Sequence, residues 1–102
     1  MIFQDCHSLV EVDIPNSVTH LGSMVFYNCT SLERVVIPGS IPEIKSATFA
    51  ECSSLYDVTL GEGIESILGY AFYNCIALTQ ITIPSSVTYI DEAAFEGSGV
   101  EL

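Results

Sequence analysis

The chain has 102 residues, 49% of them hydrophobic, and its two basic and thirteen acidic residues give a formal net charge of −11. Nucleic acids and anionic lipid surfaces are bound through Lys and Arg, so this charge balance excludes nucleic-acid binding and argues against docking on such lipids. No apolar run approaches the ~20 residues that a bilayer-spanning helix needs, so the sequence predicts no membrane insertion.

A strict 23-residue period runs through the chain. All five phenylalanines and all four cysteines follow it, and each cysteine comes three residues after a phenylalanine. A fixed period of this size is typical of a solenoid, whose coils stack and share one continuous core. We therefore predict one α/β-type, mostly β repeat solenoid over residues 1–102, with about four and a half coils. The repeats are phased on Phe3, Phe26, Phe49, Phe72 and Phe95.

Each repeat continues from its phenylalanine into a predicted strand. Apolar residues alternate with mostly polar ones at a spacing of two, which indicates a strand with one buried face. Stacked coils turn such strands into a parallel sheet with about 4.8 Å between neighbours. The predicted inward residues are Leu9, Val12, Ile14, Leu32, Val35, Ile37, Leu55, Val58, Leu60, Leu78, Ile81 and Ile83. The outward ones are Glu11, Asp13, Arg34, Val36, Asp57, Thr59, Gln80 and Thr82.

A corner ends each predicted strand, at Pro15, Pro38, Gly61 or Pro84. A second apolar pair follows each corner and predicts a short strand with a bend, or one tight turn. These pairs are Val18 and Leu21, Ile41 and Ile44, Ile64 and Ile67, and Val87 and Ile90. Pro42 interrupts one of these second strands, which is tolerable only if its missing N–H faces an unpaired position. The next phenylalanine then sits on a single helical or 3₁₀ turn.

The repeated unit carries a family resemblance. It is written Leu-x-x-Val-x-Ile-Pro-x-Ser-Val-x-x-Ile-x-x-x-Ala-Phe-x-x-Cys, and its cleanest copy runs from Leu78 to Phe95. This unit resembles the BspA-like (treponemal-type) class of leucine-rich repeat over essentially the whole chain. The resemblance implies a right-handed leucine-rich-repeat coil in a cell-surface or secreted protein that attaches to host or extracellular-matrix proteins, or to other microbes. The last unit departs from the pattern, with Ser98, Gly99 and Glu101 in place of the expected residues.

Both ends of the sequence fall inside a repeat. Met1 lies in the column that Met24, Ala47, Tyr70 and Ala93 also fill, and residues 97–102 stop just after a turn. No signal peptide is visible. We therefore expect a fragment of a longer array. End coils of this kind expose apolar residues and unpaired strand edges, which predicts end-to-end or edge self-association.

The cysteine column invites a metal or disulfide interpretation. Zinc sites need clustered ligands, whereas one cysteine per coil gives parallel side chains in a row. Parallel Cβ atoms stay about 4.8 Å apart, beyond the usual ~3.5–4.5 Å of a disulfide. The sequence therefore favours four buried free thiols that act as small core residues, over a disulfide or a metal site.

Other features offer little for catalysis. His7 and His20 lie in different columns, the carboxylates are scattered, and Gly61-Glu62-Gly63 occupies a corner instead of a phosphate loop. We therefore predict no enzyme activity, catalytic residue, metal or cofactor. Asn28-Cys29-Thr30 matches the N-glycosylation sequon, although its cysteine is predicted to be buried. Whether Asn28 carries a glycan stays open.

The remaining candidate site is the outward strand face. Its columns vary while the core columns stay constant, which fits a recognition surface on a fixed scaffold. The same variation also fits a surface whose residues change freely because they have no function. We predict a protein-binding or adhesion module. The alternative is a structural spacer or a truncated repeat array with no ligand of its own, and an accessory arm of an enzyme is a third class. The predicted partner-binding residues are Glu11, Asp13, Arg34, Val36, Tyr56, Asp57, Thr59, Gln80 and Thr82.

Overall fold

The computed structural model describes residues 3–101, so the column position of Met1 and the residue Leu102 lie outside it. Five coils begin at the five phenylalanines and are numbered 1 to 5 from Phe3 to Phe95. Residues 3–101 form six strands and no helix: β1 (Glu11–Asp13), β2 (Arg34–Ile37), β3 (Glu43–Ile44), β4 (Asp57–Leu60), β5 (Ser66–Ile67) and β6 (Tyr89–Ile90). The shortest Cα extent is 19 Å, close to four strand spacings of about 4.8 Å.

The first sheet has the parallel order β1-β2-β4, as the alternation predicts. Its register follows the 23-residue period, with Glu11 opposite Arg34 and Arg34 opposite Asp57. Val35 and Ile37 are buried in β2 while Val36 between them is exposed. The period of two therefore places one face of β2 in the core and the other in solvent.

The second sheet has the parallel order β3-β5-β6 and contains the second member of each predicted apolar pair in coils 2 to 4: Ile44, Ile67 and Ile90. Pro42 directly precedes β3, which is an edge strand. Its carbonyl accepts the N–H groups of Glu65 and Ser66 from coil 3, whereas its own nitrogen has no N–H to offer coil 1. This agrees with the expectation for Pro42 and explains why residues 18–21 of coil 1 do not extend the sheet.

The predicted strand of coil 4 does not form, which corrects the sequence interpretation. Residues 80–83 alternate as well as β2 does, yet they make no backbone hydrogen bond to β4 within the described chain. Burial supplies the physical reason, because Ile81 and Ile83 are only half-buried, whereas Val35 and Ile37 of β2 are buried. The N–H of Gly99 donates to the carbonyl of Leu78 at 2.8 Å, a bond without a counterpart in the earlier described coils. Beyond this bond, the described part of coil 5 places no strand beside residues 80–83.

The five phenylalanine rings form one continuous stack. Successive ring centroids lie 5.2 to 5.4 Å apart, with interplanar angles of 2 to 5°. This is the offset parallel geometry that aromatic pairs favour. Phe26, Phe49 and Phe72 are buried, and only Phe3 at the outer coil is half-buried. The stack runs through a core shared by all coils, as the period predicts.

Each buried phenylalanine sits on a single turn closed by an i to i+3 hydrogen bond. In coil 3 the N–H of Ala50 donates to the carbonyl of Ala47 at 3.2 Å. The residues two before and two after the phenylalanine have positive φ in most coils, a feature that the sequence did not suggest. They are Asp5, Met24, Asn28, Ala47, Glu51, Tyr70 and Asn74, followed by Gly97. Their conformation lets N–H groups on this side point at the next coil, as in the bond from Asn28 to the carbonyl of Ala50 at 2.8 Å.

The cysteines are free thiols, and Cys29, Cys52 and Cys75 bond to the backbone of the preceding coil. The Sγ atom of Cys52 lies 3.1 Å from the carbonyl oxygen of Phe26, and that of Cys75 lies 3.1 Å from the oxygen of Phe49. Cys29, Cys52 and Cys75 are buried, but Cys6 is only half-buried. The prediction of four buried thiols is therefore wrong for Cys6, which lies in the outer coil and is covered on one side only.

Thiol labelling should separate these cysteines. Burial raises the pKa of Cys52 to about 12 and also raises the pKa of Cys29 and Cys75, so these thiols stay protonated and unreactive near pH 8. We expect an alkylating reagent to modify Cys6 first in the native protein, and all four cysteines in denaturant without a reductant. Mass spectrometry of the digested protein measures this. Rapid native labelling of Cys52 would contradict the packing described above.

Candidate interaction surface

The outward face of the first sheet, called the interaction face below, carries a shallow depression. Its volume is about 410 Å³. Six of the predicted residues line it, together with the strand residues Val12 and Val35: Glu11, Asp13, Arg34, Val36, Asp57 and Thr59. These six come from β1, β2 and β4, so the parallel register alone brings residues 46 positions apart in sequence onto one surface.

Arg34 organises the centre of this face. Its Nε and Nη2 atoms donate to Oε2 of Glu11 at 3.0 and 2.8 Å, and its Nη1 atom donates to the hydroxyl of Tyr56 at 2.9 Å. Nη1 also lies 3.4 Å from Oε1 of Glu33. These bonds, Glu11 first and then Tyr56, raise the pKa of Arg34 above its already high ordinary value. The guanidinium is thus always charged and fixed across all three strands.

The other three predicted residues lie beside this depression. Tyr56, Gln80 and Thr82 line a second one of about 420 Å³, in which Asp57 also takes part. The second depression lies between β4 and the unpaired segment of coil 4. The structure therefore brings all nine predicted residues onto one continuous surface, with Asp57 shared by its two parts.

Sequence reasoning missed Glu33. This residue immediately precedes β2 and belongs to the column of Val10, Tyr56 and Thr79. Only Tyr56 of this column was predicted to belong to the site. The signal was available, because Glu33 directly precedes the single arginine in sequence, and Tyr56 occupies the same column one coil later. Val10 is exposed in the same column, so the face is one column wider than predicted.

The interaction face presents charged, hydroxyl and apolar side chains, and within residues 3–101 neither histidine lines it. His7 and His20 are both exposed and lie in different columns. Among residues 3–101, no group of three or more His, Cys, Asp and Glu side chains is placed to hold a metal ion. No helix of this part of the chain is long and apolar enough to cross a membrane.

The side chain of Asn28, in the glycosylation sequon, is engaged within the fold. Its Nδ2 atom donates to Oδ1 of Asp5 at 2.7 Å, one period earlier. The backbone at Asn28 has a φ of 60°. A glycan on this nitrogen would replace one of its hydrogens beside Asp5.

The outer side of coil 1 shows a small apolar depression of about 290 Å³. Phe3, Leu9, Val12 and Ile14 line it, together with the ring of Phe26 behind them. The depression is where the hydrophobic core reaches the surface at the first described coil.

Comparisons with known proteins agree with this architecture. The family model for the BspA type leucine rich repeat region matches residues 1–101 with six copies. No curated protein matches the chain significantly.

Several solved structures are similar to the chain. A leucine-rich repeat protein from Bacteroides ovatus matches with a TM-score of 0.79 and 35% identity, over 97% of this chain and 27% of that protein. The T. pallidum leucine rich repeat protein matches with a TM-score of 0.77 and 30% identity, over 80% and 41%. A leucine rich cell surface protein from Faecalibacterium prausnitzii matches with a TM-score of 0.58 and 28% identity, over 91% and 40%. The chain thus spans less than half of each of these proteins.

The family match covers nearly the whole sequence, and the matched unit is the one whose phenylalanines, leucines and cysteines build the observed stack. The chain therefore belongs to the BspA-type leucine-rich repeat family.

Proposed function

We propose that the chain is a protein-binding or adhesion module of a larger cell-surface or secreted protein, and that it recognises its partner on the interaction face. Leucine-rich repeat domains are generally non-enzymatic protein-interaction modules. The surface location is supported by one similar structure that is described as a cell surface protein. Host or extracellular-matrix proteins are the partners that we propose.

One observation carries this proposal: the residues that vary between repeats converge on one fixed surface. The core columns keep phenylalanine, leucine and cysteine, whereas the outward columns present a carboxylate, a guanidinium, a hydroxyl and an apolar side chain from adjacent strands. A rigid sheet that displays diverse side chains gives specificity at low entropic cost, because the backbone is already ordered by stacking.

A steric block of the interaction face tests the proposal. We expect Thr59→Trp to weaken binding to an extracellular partner protein at least tenfold, since Thr59 is exposed on β4 and lines the depression. Thr19→Trp is the matched control, because Thr19 is exposed in coil 1 outside both depressions. Surface plasmon resonance against fibronectin, fibrinogen and collagen measures the affinities, and circular dichroism checks the fold.

The outcomes separate the proposal from its alternative. An equal loss of binding affinity in Thr59→Trp and Thr19→Trp would contradict recognition on the interaction face. Absence of saturable binding at micromolar concentration would instead favour the structural spacer. Self-association through the end coils or strand edges stays a separate prediction. The apolar depression on coil 1 is a surface that such self-association would cover.

A further inference from the structure

We infer that the interaction face takes an extended protein segment carrying two basic side chains on either side of an apolar one. This inference rests on the proposed function and adds the chemistry of the partner. It follows from the charges that the fold leaves uncompensated, from their spacing, and from what lies between them.

The positive charge of the interaction face already forms ion pairs within the fold. Arg34 contacts Glu11 at 2.8 Å and Glu33 at 3.4 Å, and the other basic residue, Lys45, lies 3.8 Å from Glu43 away from this face. The register places Arg34 directly opposite Asp57 as well as Glu11, but its bonds go to the Glu11 side. Asp13 and Asp57 therefore form no ion pair within residues 3–101.

These two exposed aspartates have a defined spacing. Asp13 lies in the outer column of β1, and Asp57 lies two strands further and two residues back along β4. A strand spacing of about 4.8 Å and a rise of about 3.4 Å per residue separate them by about 12 Å. In an extended segment, residues i and i+4 point to one side and lie about 14 Å apart, within the reach of flexible basic side chains to both carboxylates. Two basic residues at these positions match the two carboxylates.

Two outward side chains flank the line that joins the two aspartates: Arg34, which is engaged by Glu11, on one side and the apolar Val36 on the other. Val36 is 41% exposed and is opposite Asp13 in the register. Residue i+2 of an extended segment faces the same side as i and i+4, so an apolar residue there would cover Val36. The occupant is therefore a segment of the pattern basic-x-apolar-x-basic.

The overall field of the chain favours the same partner. The net charge of −11 attracts a cationic segment and speeds its approach. The contacts themselves are exposed, so they should be sensitive to salt. Specificity comes from the spacing and from Val36, since charge attraction alone does not distinguish one cationic segment from another.

Two isomeric peptides test the inference. We expect the capped peptide Lys-Thr-Val-Thr-Lys to shift the amide NMR signals of β1, β2 and β4, and to bind at least threefold more tightly than its isomer Lys-Lys-Val-Thr-Thr. Raising the salt to about 1 M, where the Debye length falls to about 3 Å, should remove the difference. Equal affinities of the two isomers, or shifts confined to other parts of the chain, would overturn the inference.

A charge-neutral variant supplies the second arm. The double variant Asp13→Asn, Asp57→Asn should bind the first peptide about tenfold more weakly, the loss expected for two exposed ion pairs. The matched control Glu92→Gln, Glu96→Gln removes the same two charges at exposed positions outside the interaction face and should leave the affinity unchanged. Equal effects of the aspartate and glutamate variants would show only a response to net charge and would sink the inference.

The failure of this inference is distinguishable from failure of the proposed function. A partner protein whose binding is weakened by Thr59→Trp but is insensitive to the two aspartate substitutions and to salt would leave the interaction face in place. The basic-x-apolar-x-basic segment would then be wrong. If Thr59→Trp left the binding of the partner protein unchanged, both this inference and the proposed function would be wrong.

Discussion

Replacement of Phe49 by alanine is expected to lower the free energy of unfolding by about 3 to 5 kcal/mol. Phe49 is fully buried in coil 3 and stacks on Phe26 at 5.2 Å and on Phe72 at 5.3 Å. The substitution removes a ring that is in contact on both faces and leaves a cavity that the flanking backbone ladders prevent from closing. Urea denaturation followed by circular dichroism measures the loss.

The expected loss is large for a chain of this kind. Each coil contacts only its neighbours, so stability is a sum of coil terms and interface terms, and Phe49 contributes to two interfaces. Domains of this size are generally stable by only about 5 to 15 kcal/mol. We therefore expect the variant to be marginally folded and its transition to be broader, because coils 1 and 2 become uncoupled from coils 4 and 5.

Phe3→Ala is the matched control for this prediction. Phe3 stacks on one ring only, Phe26 at 5.4 Å, and is half-buried. Its removal should cost less than half as much as the loss of Phe49. Equal costs at the two positions would mean that the rings contribute by burial within their own coil, and that stacking between coils adds little.

The sequence predicts the repeat architecture well because its period is strict. A 23-residue step without insertions allows one register only, and that register places ring on ring and strand beside strand. The alternation around Val35 and Ile37 then decides which face of β2 is buried. Pro42 could also be placed, because a residue without an N–H has to lie at an edge of the second sheet.

Features that depend on contacts between coils could not be predicted. Met24 and Tyr70 adopt φ values of 63° and 60°, although neither residue type favours positive φ. The stack imposes this conformation because their turns have to direct N–H groups at the next coil. Residues 80–83 have the composition of a strand, but pairing also depends on how well their apolar side chains are covered, and Ile81 and Ile83 are only half-buried.

The candidate site likewise has features that the sequence predicts and features that it does not. The periodic outward columns correctly place Glu11, Arg34 and Asp57 in one row across the sheet. The sequence leaves Arg34 free to pair with either carboxylate. The structure selects Glu11, because Tyr56 and Glu33 hold the other nitrogen of the guanidinium. The uncompensated charge of Asp57 is thus a property of the packed side chains.

Replacement of Gly39 by alanine should be the other severe substitution. Gly39 follows Pro38 at the corner of coil 2, and a Cβ atom there would overlap the carbonyl group of Glu62 at the corner of coil 3. The two corners approach this closely because the N–H of Gly61 donates to the carbonyl of Ile37 at 2.9 Å. We expect a loss of about 3 kcal/mol, the sum of overpacking and a weakened backbone bond.

The corner of coil 3 cannot move away without breaking further bonds. The carboxylate of Glu62 accepts hydrogen bonds from the backbone N–H groups of Ser85 and Ser86 at 2.9 and 3.2 Å, and these bonds, the one from Ser85 first, lower the pKa of Glu62. The N–H of Gly63 also donates to the hydroxyl of Ser86 at 2.9 Å. A shift forced at Gly39 would therefore spread to the corner of coil 4.

Gly22→Ala separates this steric effect from the general cost of replacing glycine. A Cβ atom at Gly22 would meet only a methyl group of Val25, at an ordinary contact distance of 3.6 Å. Alanine there should be neutral or slightly stabilising, because it restricts the unfolded chain. Thermal and urea unfolding of both variants measures the difference. If Gly39→Ala were tolerated as well as Gly22→Ala, the corners would have to lie further apart than the stack places them, and the direct backbone contact between coils 2 and 3 would be wrong.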